Sequence, residues 1–170
     1  MKLEGLKANF LGDSITEGAS ASSRDKIYWN VLKSEYGLAE ARGYGIGGTR
    51  IAKQKNPSAV AVYDQNFCER FDKMDDDADL IVVFGGTNDC WAGVELGDYV
   101  YRNWSTDDLK CFRPAFSKLI HTLKELYPNA TVYNITNSND PYGVSTPFAK
   151  SMNKVCKHYG VTNIDLDDIE

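Results

Sequence analysis

Five consecutive apolar residues, Leu80-Ile81-Val82-Val83-Phe84, followed at once by Gly85-Gly86, constrain this chain more than any other feature. A β-branched run without polar alternation suits a strand buried on both faces, the kind found in parallel sheets. Parallel strands need long crossovers, and the rest of the chain alternates short apolar runs with amphipathic segments. A first strand is expected over residues 7–11, ending at Gly12-Asp13-Ser14, and a helix holding Tyr28, Trp29, Val31 and Leu32 follows it. A second strand over 39–44 runs into Gly45-Ile46-Gly47-Gly48. Leu109, Phe112, Phe116, Leu119, Ile120, Leu123 and Leu126 recur at helical spacing and predict one helix over 106–127, with Ser105 and Asp108 as a capping box and Pro128 as its stop. A fourth strand over 131–136, a helix over 147–159 closed by Gly160, and a last strand over 161–166 complete the pattern. Five strands with helical crossovers predict a doubly wound sheet whose site lies at the strand C-terminal ends.

The chain has 170 residues, which predicts one domain over 1–170, and 42% hydrophobic residues are enough for a core. No run reaches the ~18–20 apolar residues of a bilayer span. The opening Met1-Lys2-Leu3-Glu4-Gly5 puts an acid and a glycine where a signal peptide carries its apolar stretch, so a soluble cytoplasmic protein is expected. A net charge of −5 argues against non-specific nucleic-acid binding. The four cysteines, at 68, 90, 111 and 156, lack close pairing, so free thiols are expected and no zinc site.

Three motifs fall at successive predicted strand ends. Gly12-Asp13-Ser14-Ile15-Thr16-Glu17-Gly18 places a serine where a strand gives way to a helix, with its hydroxyl at the sheet rim and its N–H turned outward. Gly45-Ile46-Gly47-Gly48-Thr49 allows positive φ and close backbone approach, without the lysine and spacing of a phosphate-binding loop. Gly85-Gly86-Thr87-Asn88-Asp89 presents an amide after the central strand, where it can donate to a developing negative oxygen. Each motif alone also reads as a cap or a turn. Three in register are hard to explain by turn chemistry.

Together these blocks resemble the SGNH hydrolase superfamily, the GDSL-type lipases and esterases, over residues 7 to the end. The resemblance implies a three-layer α/β/α sandwich with a five-stranded parallel, flavodoxin-like sheet. It makes Ser14 the nucleophile, and it makes the Ser14 N–H, the Gly48 N–H and the Asn88 side-chain amide the oxyanion donors. It implies hydrolysis of acyl esters, lipids or acetylated carbohydrates among them, through an acyl-serine, with no cofactor and no metal. The aromatic set Trp91, Tyr99, Tyr101 and Trp104 is a candidate substrate wall, with packing as its other reading.

The family completes its triad with an Asp-x-x-His block after the fifth strand, and residues 164–170 hold no histidine. His121 is expected on the solvated side of its helix, and His158 near the end of the following helix, away from the site. Asp140, after the fourth strand, is a carboxylate near the rim but a weak base at its ordinary pKa of ~3.9. The expectation is therefore an impaired esterase, truncated after its last strand. The alternatives are a protein that binds esters or carbohydrates without turning them over and, from another class, a flavodoxin-like nucleotide binder.

Overall fold

The computed structural model describes residues 2–138 and 141–169. Five strands, β1 (Lys7–Gly12), β2 (Glu40–Gly45), β3 (Leu80–Phe84), β4 (Thr131–Thr136) and β5 (Thr162–Asp165), form one parallel sheet in the order β2-β1-β3-β4-β5. This is the expected five-stranded α/β architecture. Its helices are α1 (Ser14–Glu17), α2 (Tyr28–Tyr36), α3 (Thr87–Trp91), α4 (Phe112–Leu126) and α5 (Thr146–Tyr159).

Alternation along the central strands divides the core in two. Leu11, Ile81 and Val83 point to the face covered by α4 and α5, where they meet Phe112, Phe116, Leu119, Met152 and Val155. Ala8, Phe10, Leu80 and Val82 point to the opposite face, where Trp29 of α2 packs. That second face is only partly covered. Phe10, Val82, Tyr133, Ile135 and Ile164 line an apolar depression of about 310 Å³ beside α2.

The helix expected over 106–127 is two elements. Ser105 and Asp108 do form the capping box, with the Ser105 N–H donating to Asp108 Oδ2 at 2.8 Å and the Asp108 N–H to Ser105 Oγ at 3.1 Å. It heads only a single 3₁₀ turn, Asp108–Lys110. Cys111 is extended, and α4 starts afresh at Phe112. Pro114 explains the break, because deep inside a helix it would remove a hydrogen bond and clash with the carbonyl four residues back. Restarting at Phe112 puts it in the first turn, where no N–H is needed.

Register decides where the chemistry can sit. Gly12 at the end of β1 pairs with Gly45 at the end of β2 and Phe84 at the end of β3. The three motifs therefore leave the sheet side by side. They do so at the point where the strand order reverses, the crevice in which open α/β sheets bind ligands.

Candidate active site

At the end of β1 the chain turns directly into α1. Asp13 is the N-cap, its Oδ1 accepting from the Ile15 N–H at 3.2 Å. Burial pushes its carboxyl up to about 6, against the pull of that N–H and of the Arg70 charge. Ser14 is thus the first helical residue, half-buried at the rim. Neither its hydroxyl nor its backbone N–H has a protein acceptor among the described residues. Gly18, at φ 113°, ends the helix after one turn.

The glycines of the second block make its contact with α1 possible. A Cβ on Gly45 would lie 2.2 Å from the Glu17 nitrogen and 2.5 Å from the Thr16 carbonyl carbon. The Ile46 N–H donates to Gly12 O at 3.2 Å, which ties the loop to β1. Gly47 gives its N–H to Glu17 Oε2 at 2.9 Å, and a Cβ there would lie 3.5 Å from Ser14 Cβ. Gly48, at φ 75°, lies under the Tyr63 ring, and its N–H has no protein acceptor among the described residues. The loop therefore uses one glycine N–H for its own support and leaves the next one open.

Asn88 and Asp89 connect the third block to the second. Asn88 Nδ2 donates to Thr49 O at 2.9 Å, and an amide nitrogen carries a second hydrogen for a ligand. Asp89 is fully buried, and its two oxygens accept from the Ile51 and Ala52 N–H groups at 2.9 and 2.8 Å. Burial pushes its carboxyl up to about 7, opposed by those two N–H groups. Arg70, 6% exposed, closes the frame from beneath. It donates to Tyr44 O at 2.9 Å, Gly12 O at 3.2 Å and Thr49 Oγ1 at 2.9 Å. Burial lowers its pKa to about 10, so it stays charged at neutral pH.

The structure thus brings Ser14, the Gly48 loop and Asn88 to one sheet edge. It does not bring a histidine there. His158 stacks on Tyr101 with ring centroids 3.7 Å apart, near the C-terminus of α5. His121 lies between Trp104 and Tyr159 with its side chain only 19% exposed, so it is packed rather than solvated as expected. Crossover helices run antiparallel to the strands, and α5 ends where β5 begins, at the edge opposite Ser14. Asp140 lies outside the described residues.

The aromatic set divides as well. Tyr99, Tyr101 and Trp104 pack around α4, α5 and the two histidines. Trp91, 59% exposed at the end of α3, faces Tyr142 across 6.2 Å. Tyr142 has no signal in the sequence, because a tyrosine in a polar loop carries no pattern. Arg70 was equally invisible, since its partners are mostly backbone carbonyls. Asp89 had a signal, its place directly after the amide of the third block. Among the described residues no group of three or more His, Cys, Asp or Glu side chains is placed to hold a metal ion. No helix among them is long and apolar enough to cross a membrane.

The sequence profile of the GDSL-like lipase/acylhydrolase family matches residues 12–170. No curated protein matches the sequence. Among solved structures, a protein described as a GDSL-like lipase from Bacteroides uniformis superposes with a TM-score of 0.84 at 34% identity, over 98% of this chain and 85% of that one. One of the same description from Bacteroides ovatus gives 0.79 at 30% identity, over 98% and 87%. The SGNH-hydrolase family esterase AlinE4 gives 0.61 at 16% identity, over 95% and 76%, and so shares the fold.

Proposed function

This chain belongs to the GDSL-like lipase/acylhydrolase family, and from that premise we propose that it is a serine esterase acting on small carboxylic esters. Ser14 Oγ attacks the ester carbonyl, and the alcohol leaves as the tetrahedral intermediate collapses to an acyl-serine. Water then attacks the acyl-serine, releasing the acid and restoring the hydroxyl. The oxyanion of each tetrahedral intermediate takes hydrogen bonds from the Ser14 N–H, the Gly48 N–H and the Asn88 amide. One observation carries this reading. The Gly47 N–H is committed to Glu17 while the Gly48 and Ser14 N–H groups are open, as a preorganised oxyanion site requires.

The proton of Ser14 has no acceptor at this edge among the described residues, since both histidines sit in the α4–α5 cluster. In a comparable serine hydrolase, loss of the histidine costs on the order of 10⁶ in kcat. The 170 residues therefore turn esters over slowly. The same observation supports a second reading, in which the site binds esters without cleaving them.

Intact-mass spectrometry after incubation with p-nitrophenyl acetate separates the two. The esterase reading expects a single acetyl adduct that maps to Ser14 and is missing from Ser14→Ala. Unmodified Ser14, or an equal adduct in the variant, contradicts it and leaves binding alone.

A further inference from the structure

Beyond the second and third motifs the surface forms a cleft of about 440 Å³ that the proposed ester chemistry does not use. One wall is the chain after Thr49, with Arg50, Lys53 and Lys55, and the other follows α3, with Ala92 to Glu95. Lys110 also lines it. Four cations and a single carboxylate, Glu95, therefore face one cavity in a protein whose net charge is −5. Such a local inversion of sign focuses the field toward anions.

The protein's own acids leave part of that charge unanswered. Lys55 pairs with Glu95 at 2.7 Å, between residues of the two walls, and Lys110 pairs with Asp107 at 2.7 Å. Lys53 reaches Glu69 only at 3.9 Å. Arg50 is half-buried; its charge acts on the buried Asp89 carboxyl, but its guanidinium makes no hydrogen bond or salt bridge among the described residues. It is the residue directly after Thr49, whose carbonyl holds Asn88 in place. A bidentate donor whose hydrogen bonds are unused, next to the oxyanion loop, suits a carboxylate, sulfate or phosphate.

We propose that this cleft is an anion subsite, in which Arg50, assisted by Lys53, holds a carboxylate, sulfate or phosphate carried by the non-reacting part of the ester. The Lys55–Glu95 pair partly neutralises it and sets its strength. The role in the substrate rests on the esterase reading, whereas the binding does not.

Calorimetric titration of Ser14→Ala at constant ionic strength tests it without turnover. The probes are galacturonate, glucose 6-sulfate, glucose 6-phosphate and, as the neutral control, glucose. At least one anion is expected to bind saturably where glucose does not, and comparison among the three identifies the anionic group. Adding Arg50→Gln should weaken that binding at least about tenfold, Arg50→Lys should weaken it less, and Glu95→Gln should strengthen it by freeing Lys55. Unchanged melting temperatures exclude misfolding as the cause. The subsite is overturned if no anion binds saturably, or if binding ignores both the Arg50 and Glu95 changes. Binding without an acyl-Ser14 adduct would sink the esterase reading alone, and an adduct without anion binding would sink the subsite alone.

Discussion

Removing the Asn88 amide takes one donor from the proposed oxyanion site and one clamp from the loop at Thr49. Loss of a single donor of this kind costs on the order of 10² to 10³ in rate. Asn88→Ala is expected to lower by that factor the Ser14-dependent hydrolysis of p-nitrophenyl acetate that added imidazole brings about. A loss below threefold would remove Asn88 from the site. Asp89 and Asp13 act on stability instead. Their carboxyls are pushed up to about 7 and about 6, against ~3.9 in an unfolded chain. The folded chain holds those protons more tightly, so their contribution is complete below about pH 4 and is lost as pH rises through the folded values. Asp89→Asn should flatten the parent's decline between about pH 4 and about pH 7, measured as urea midpoints; an unchanged slope would refute it.

Elements show where the sequence was legible. The strands read correctly because β3 is a pure apolar run and β1 ends at a motif, so burial and position pointed the same way. The helix over 106–127 misread because its apolar spacing continues through Leu109 while Pro114 forbids a continuous helix. Propensity was overruled by one ring. That Ser14, Gly48 and Asn88 share one sheet edge was legible because each belongs to a motif at a strand end. Arg70 could not, because a buried guanidinium that bonds backbone carbonyls and one hydroxyl leaves no trace in residue spacing. At this scale Gly45→Ala is the sharpest test. Its methyl would lie 2.2 Å from a backbone nitrogen that cannot swing away. A loss of about 1–3 kcal/mol in chemical unfolding is expected, and a variant as stable as the parent would refute the close packing of α1 on β2.

The whole molecule is a parallel sheet with one face sealed by α4 and α5 and the other only partly sealed by α2. The open depression beside Ile135 and Ile164 should bind an apolar dye in the native state. Anilinonaphthalene sulfonate fluorescence is expected to rise with the folded parent and to fall with Ile135→Asp, and a silent parent would mean the face is closed. The same architecture keeps both histidines in the α4–α5 cluster, away from Ser14, which is the source of the central claim: the proposed nucleophile and oxyanion site stand together without a histidine base. Imidazole added in solution can supply that base. The most direct measurement is p-nitrophenyl acetate hydrolysis against imidazole concentration, with the parent chain beside Ser14→Ala. The account predicts similar slow rates without imidazole, and an imidazole-dependent acceleration in the parent that exceeds the variant's. Equal acceleration in both would show that Ser14 is not the nucleophile, and a parent far faster than the variant before any imidazole is added would show that a base is already in place.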